Sequence, residues 1–291
     1  MKALVTGAGG LLGGHCVREL RARGAQVIAM DRAALDVANE EAVREALFAH
    51  RPDCVLHLAA WTAVDDAEDL GNIPAVRAVN EMGTSYVARA CREIGAKLLY
   101  TSTDYVFDGS GDKPWSPDDP ADRPLNVYGA SKRAGERAVI EQWERSFIVR
   151  IAWLYGAGGR HFVDAMLALG KTRAEVSVVD DQFGTPTYAP DLARLLCEML
   201  AGERYGIYHA ANAGGFVSRY EFAREIFRLA NLPVRVLPVS SDAFPAKAAR
   251  PNNGRLDLSK LAASGFAPLP HWRDALARYL QSIGMREHGR H

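Results

Sequence analysis

The chain has 291 residues, 48% hydrophobic and 24% charged, enough apolar material for a large core, and its 35 acidic and 35 basic side chains cancel. That balance leaves no net field for nucleic acid or an anionic membrane surface. No apolar run approaches the length of a bilayer span and no secretory pattern precedes the first apolar segment, so a cytoplasmic protein without membrane contacts is expected.

Residues 2–6 read as a short apolar strand, followed at once by Gly7-Ala8-Gly9-Gly10-Leu11-Leu12-Gly13 and a helical pattern through Cys16, Val17 and Leu20. In this GxxGxxG spacing Gly7 permits a tight turn, Gly10 lets backbone amides approach a diphosphate, and Gly13 lets the helix pack closely on the strand. Residues 26–30 form a second strand ending in Asp31, about 20 residues past the loop, where a carboxylate can accept from the adenosine ribose hydroxyls. Arg32 follows and is suited to the 2′-phosphate of NADP, so both NADH and NADPH remain candidates.

Strands are expected at 53–58, 97–102 and 147–151, with helices at 39–50, 74–94 and around Tyr128, and a Pro/Asp/Gly-rich loop at 108–124. This alternation predicts an α/β fold, a Rossmann-type doubly wound parallel sheet with helices on both faces. From about Gly156 the pattern loosens; a helix is expected at 189–200, and a Pro/Asn-rich stretch surrounds Pro251. Residues 1–155 are therefore assigned mainly to dinucleotide binding. Residues 156–291 form mainly a smaller, substrate-binding lobe from which segments return to the main sheet.

Ligands of open α/β sheets sit beyond the C-terminal strand ends. There the third strand ends in His57-Leu58-Ala59-Ala60-Trp61-Thr62, whose two alanines leave room for a cofactor ribose, and the fourth ends in Ser102-Thr103-Asp104-Tyr105. Tyr128 and Lys132, four residues apart, share one helix face, and a lysine beside a phenol draws its pKa from about 10 toward neutrality. Such a pair suits carbonyl–alcohol chemistry. The cysteines Cys16, Cys54, Cys91 and Cys197 have neither Cys-x-x-Cys nor Cys/His ligand spacing and read as buried thiols in a reducing compartment.

With these segments in view, the chain resembles the extended short-chain dehydrogenase/reductases, and among them the dTDP-4-dehydrorhamnose reductase family. The resemblance rests on the glycine loop, Ala59 to Asp65, Asn80 with Gly83-Thr84, and Thr103-Asp104-Tyr105-Val106-Phe107-Asp108-Gly109. It continues through Tyr128 to Lys132, Arg150 to Gly156, Asp181-Gln182-Phe183-Gly184-Thr185-Pro186-Thr187, and Arg250 to Leu256. It implies NAD(P)H-dependent reduction of the 4-keto group of a nucleotide-linked deoxysugar, dTDP-4-dehydro-L-rhamnose to dTDP-L-rhamnose. Tyr128 would be the proton donor, Lys132 would hold the nicotinamide ribose and tune Tyr128, and Thr103 would bond the reacting carbonyl. Asp104, Trp153 and Arg250 would contact the sugar nucleotide. Gly10, Leu11 and Leu12 would follow the diphosphate, Asp36 and Val37 the adenine, and Ala60, Trp61 and Thr62 the inner cofactor face.

Three positions depart from the family pattern. Leu11 stands where Gln is usual, Gly254 where Ser is usual, and Pro190 where some members carry a Glu that helps bind a dimer-bridging magnesium. No metal requirement is expected, and a homodimer stays open. Two alternatives share the framework. A sugar-nucleotide epimerase or dehydratase would recycle tightly bound NAD, but dehydratases place Asp-Glu where this chain has Asp104-Tyr105. A non-catalytic NADP-binding regulatory subunit, resembling the beta subunit of methionine adenosyltransferase, would have no need of Thr103, Tyr128 and Lys132 together.

Overall fold

Six parallel strands, β1 (Lys2–Thr6), β2 (Gln26–Met30), β3 (Cys54–His57), β4 (Lys97–Thr103), β5 (Ser146–Ile151) and β6 (Gly206–Ala210), pair in the order β2-β1-β3-β4-β5-β6. The computed structural model describes residues 1–285. Successive side chains of a strand point to opposite faces, and here both faces are covered. Ala3 and Val5 enter one core cluster and Leu4 the other, as Leu99 opposes Leu98 and Tyr100 on β4. The two-sided burial accounts for the near-continuous apolar runs in the sequence.

Helix α1 (Leu11–Ala22) packs against one face, and helices α2 (Glu40–His50), α3 (Thr84–Ile94) and α4 (Val127–Gln142) cover the other. Asn39 caps α2 by accepting from the Ala42 amide, and Asn126 caps α4 by accepting from Gly129. The second cap fixes the first turn of α4, where Tyr128 sits. The winding reverses between β1 and β3, which puts the ligand crevice at the ends of those two strands.

One expected element is interrupted. Instead of a single helix over 74–94, the chain forms a short helix Ile73–Arg77, a π-helical turn Ala78–Gly83 and then α3. The extra residue in the turn accompanies an inward Asn80 side chain. Its Oδ1 accepts from Trp61 N at 2.8 Å, while Nδ2 donates to Trp61 O at 3.1 Å and to Ser131 Oγ at 2.9 Å. Helical π-turns of this sort cluster at functional sites.

Beyond residue 155, helices α5 (Phe162–Gly170), α7 (Arg219–Leu229) and α8 (Trp272–Ser282) gather an aromatic core that includes Tyr155, Phe222, Trp272 and Tyr279. Between α5 and α7 the chain returns to the main sheet, since α6 (Ala189–Ala201) packs on α1 and β6 pairs with β5. Arg278 of α8 donates both Nη atoms to the buried Asp191 of α6, at 2.9 and 2.6 Å, and Asn212 donates to the same carboxylate. This forked pair ties the smaller lobe to the sheet side of the molecule.

Candidate active site

Gly7 has φ +64°, and a Cβ there would lie 2.7 Å from Ala59 N, so the turn after β1 runs directly against the strand-end loop of β3. A side chain on Gly13 would collide with the Gly7 carbonyl, so α1 begins in contact with that turn. Gly10 supplies no side-chain cap and the first turn of α1 carries no acid. The leading amides of α1, which have no intrahelical acceptors, thus face the crevice as an anion cradle. This backbone arrangement fits a dinucleotide diphosphate.

A buried polar chain holds the facing loop. Thr84 Oγ1 donates to Asn80 O at 2.8 Å, so at 3.1 Å it must accept from His57 Nε2; His57 Nδ1 then accepts from Thr6 Oγ1 at 2.8 Å. Burial pushes the imidazole pKa down to about 3, with the Lys132 charge adding to the effect, and His57 stays neutral. Thr6 Oγ1 in turn accepts from the Leu58 and Ala59 amides, each at 3.2 Å. His57 is therefore a structural residue that shapes the Ala59-Ala60-Trp61 segment.

At the end of β2, Asp31 Oδ1 accepts from the Ala33 and Ala34 amides at 3.0 and 2.9 Å, which turns the chain there, and Asp31 lines the crevice. Arg32 and Asp36 are exposed at its rim, whereas Val37 is packed into the core beneath it.

Tyr128, Lys132 and Thr103 meet above the end of β4. Lys132 is only 3% exposed; its Nζ donates to Thr101 O at 2.8 Å and lies 4.1 Å from the Tyr100 ring centroid. Burial pulls the ammonium down to about 7, against the opposing pull of Glu136. Glu136 is itself held by a forked pair with Arg150, both bonds 2.8 Å. The Tyr128 phenol departs from the sequence expectation. Burial raises its pKa above 10, hydrogen bonding with Thr103 opposes this, and Asp104 and Tyr105 reinforce it. Lys132 directs its proton to a strand carbonyl, so desolvation rather than the neighbouring cation dominates at Tyr128.

Thr103 Oγ1 is 3.1 Å from Asp104 Oδ1 and accepts from Tyr105 N at 3.3 Å. Asp104 is 2% exposed, and its Oδ2 has no hydrogen-bond partner among the described residues. Burial raises this carboxyl to about 7, against the lowering effects of Thr103 and Arg219.

The smaller lobe closes the far side. Trp153, just after β5, adopts φ +47°, a left-handed conformation that is strained for a bulky residue, and its indole packs so closely on Gly184 that a Cβ there would lie 2.8 Å away. The Arg219 guanidinium covers that indole, 3.7 Å from the centroid, and also faces Phe162 at 5.0 Å. Arg250 donates to Asp65 Oδ2 at 2.6 Å and to Ala248 O at 3.1 Å.

One cavity of about 1180 Å³ runs from the glycine loop to Arg219. Every candidate named from the sequence lines it: Gly7, Gly10, Leu11, Leu12 and Gly13; Asp31, Arg32, Asp36 and Val37; Ala59, Ala60, Trp61 and Thr62; Thr103, Asp104, Tyr128, Lys132, Trp153 and Arg250. Sequence reasoning missed Arg219 and the Arg160-His161-Phe162 segment and gave no individual role to Tyr105 of the Ser102–Tyr105 strand end; all of these line the cavity. The Ser218-x-x-Glu221 capping box places Arg219 at the start of α7, and it was the available signal. Among the described residues no group of three or more His, Cys, Asp or Glu side chains is placed to hold a metal ion, and no helix is long and apolar enough to cross a membrane.

A parallel sheet with a glycine-loop anion cradle at its switch point and a Tyr–Lys pair over a strand end defines an NAD(P)H-dependent oxidoreductase of the short-chain dehydrogenase/reductase class. Comparison with known proteins narrows the class. Residues 1–285 match the RmlD substrate binding domain family. The chain is 49% identical over 288 residues to a dTDP-4-dehydrorhamnose reductase of Streptomyces griseus, covering 96% of this chain and 93% of that one. It is 42% identical over 286 residues to one from Mycobacterium tuberculosis, with coverages of 96% and 92%. The crystal structure of dTDP-4-dehydrorhamnose reductase from Bacillus anthracis in complex with NADP superimposes with a TM-score of 0.92 at 40% identity, covering 97% of this chain and 99% of that one. The chain belongs to the dTDP-4-dehydrorhamnose reductase family.

Proposed function

We propose that the protein reduces the 4-keto group of dTDP-4-dehydro-L-rhamnose to give dTDP-L-rhamnose. The observation that carries this reading is the convergence of Thr103, Tyr128 and Lys132 with the glycine loop on one cavity, whose other end is walled by Trp153, Arg219 and Arg250. When bound, the nicotinamide cofactor supplies the hydride.

The chain's own residues do the rest. Gly7, Gly10, Leu11, Leu12 and Gly13 hold the diphosphate, Asp31 and Arg32 the adenosine ribose, and Asp36 and Val37 border the adenine. Ala59, Ala60, Trp61 and Thr62 face the inner half of the cofactor, and Lys132 holds its ribose. Tyr128 delivers a proton to the reacting oxygen while Thr103 donates a hydrogen bond to it, a positioned transfer typically worth about 10²–10⁴ in rate. Asp104, Trp153 and Arg250 orient the sugar nucleotide. In this reading residues 1–155 serve mainly the cofactor and 156–291 mainly the substrate, the protein works in the cytoplasm, and no bridging metal is required.

The test is incubation with dTDP-4-dehydro-L-rhamnose and NADPH, following loss of the reduced-cofactor absorbance and identifying the product. Stoichiometric oxidation with formation of dTDP-L-rhamnose is expected. Binding of NADPH without oxidation would instead favour the regulatory-subunit reading.

A further inference from the structure

We propose that Asp104 stays protonated through turnover and, as a positioning residue, turns the Thr103 hydroxyl proton toward the reacting oxygen; this deepens the reductase reading and rests on it.

A threonine hydroxyl has one proton to give and can accept two. Thr103 Oγ1 accepts from the Tyr105 amide at 3.3 Å and lies 3.1 Å from Asp104 Oδ1. An ionised Asp104 can only accept, so it would take the single Thr103 proton and leave Oγ1 with one lone pair toward Tyr128 and the cavity and no proton to give there. Lone pairs facing an oxygen that is gaining negative charge oppose the reaction. A protonated Asp104 reverses the bond: Oδ1–H donates to Oγ1, both acceptor positions are filled, and the hydroxyl proton points outward, to the Tyr128 oxygen with which Thr103 also bonds in the free protein and to the reacting oxygen once substrate is bound.

The surroundings of the carboxyl favour the neutral form. Asp104 is buried, and Oδ2 has no donor among the described residues. On that side the wall is Gly254, whose Cβ, had it one, would lie 2.7 Å from Oδ2 and 3.2 Å from the Phe183 carbonyl oxygen. The Thr103 hydroxyl and the Asp104 and Tyr105 amides favour the charged carboxylate, but Oδ2 has no partner among the described residues and burial outweighs them. The charged and titratable groups that face Asp104 are Tyr105 beside it, Tyr128 from α4 and Arg219 from α7, with Arg250 acting on Tyr105 and Arg219. Arg219 is the cation acting on the carboxyl directly, and burial outweighs it, which leaves the group near 7. A carboxylic acid kept neutral so that it can donate is an established way to stabilise an oxyanion.

The proton balance is simple. The carbonyl carbon takes hydride, the carbonyl oxygen takes the Tyr128 proton, and the Asp104 proton is not transferred. Because the active form is protonated, kcat falls as pH rises through the Asp104 titration.

The test compares kcat–pH profiles, at saturating NADPH and keto-sugar nucleotide, of the wild type, Asp104→Asn and Asp104→Ala. Wild-type kcat should fall about tenfold per pH unit on the alkaline side. Asp104→Asn, whose amide donates to Thr103 at every pH, should lose that limb while its plateau drops by no more than about tenfold, and Asp104→Ala should lie at least about tenfold lower again. An unchanged alkaline limb in Asp104→Asn, or equal losses in Asn and Ala, overturns the proposal. Carboxyl-carbon NMR of wild-type protein with isotope-labelled aspartate reads the same proton with neither turnover nor a variant. One buried aspartate titrating near neutrality supports the proposal, and all of them titrating in the ordinary acid range overturns it. If the wild type reduces no keto-sugar nucleotide, the reductase reading fails by that result, while the NMR arm still decides the protonation state.

Discussion

The guanidinium of Arg219 lies over the indole of Trp153 at 3.7 Å, joining the N-terminus of α7 to a residue held in a left-handed turn after β5. Burial lowers the Arg219 pKa to about 10, against the raising effects of Tyr105 and Asp104, so the side chain remains cationic near neutral pH. A desolvated cation on an aromatic face contributes about 2 kcal/mol. The same side chain lines the cavity beside Trp153 and Arg250, where we place the nucleotide sugar. Arg219→Lys keeps the charge but loses the planar stack. The expected outcome is a KM for the nucleotide sugar raised about tenfold or more, roughly 1.4 kcal/mol, with the Kd for NADPH unchanged. Steady-state kinetics paired with cofactor titration decides it, and an unchanged sugar-nucleotide KM would remove Arg219 from the substrate site.

The proton donor is tested at Tyr128. Tyr128→Phe keeps the ring, which packs edge-on to Tyr105 with centroids 5.8 Å apart, and removes only the hydroxyl. Turnover should fall by about 10²-fold or more while NADPH affinity changes little, the pattern of a group acting in the transition state. A kcat equal to that of the parent would refute the assignment.

Much of the cofactor side was legible because its information is local. The β1–glycine loop–α1 unit, the Asp31 strand end and the capped helix with Tyr128 and Lys132 are each set by spacing within a short stretch. What was not legible depends on contacts between remote segments. Asn80 breaks the expected helix because it bonds to Trp61 and Ser131, and neither partner can be read from its neighbours. The raised pKa of Tyr128 follows from burial of the phenol beside Thr103, Asp104 and Tyr105, which the four-residue spacing to Lys132 does not encode. Arg219 sits at an ordinary capping box, and only the packing of the smaller lobe brings it over Trp153.

Cofactor preference should divide between two adjacent residues. Asp31 and Arg32 both line the cavity at the end of β2, where we place the adenosine ribose. Asp31→Ala removes an acceptor for a 2′-hydroxyl and a charge that repels a 2′-phosphate, so NADH should lose more affinity than NADPH. Arg32→Ala should do the reverse. Because Asp31 Oδ1 also holds the Ala33 and Ala34 amides, Asp31→Asn, which keeps an acceptor there, separates charge from loop order. Equal losses for both cofactors in Asp31→Asn and Arg32→Ala would show that neither side chain discriminates at the ribose.

Lys132 should set activity against stability. Its ammonium is buried with a pKa of about 7, down from 10.5 chiefly through desolvation. Above 10.5 both the folded and the unfolded chain carry a neutral amine and there is no penalty. As pH falls from 10.5 toward 7 the unfolded chain takes up the proton first, so folding stability declines across that window; below 7 both states are charged and the penalty is constant. Lys132→Met fills the same space without a charge, at the loss of the bond to Thr101 O. Near pH 6 the ligand-free variant should be more stable than the parent by on the order of 1–3 kcal/mol, the gain should shrink as pH rises from 7 toward 10, and reductase activity should fall by about 10²-fold or more. Chemical denaturation at several pH values, run beside activity assays, measures both. A variant that is less stable at pH 6, or whose stability difference from the parent does not change with pH, would show that the buried ammonium carries no net folding cost.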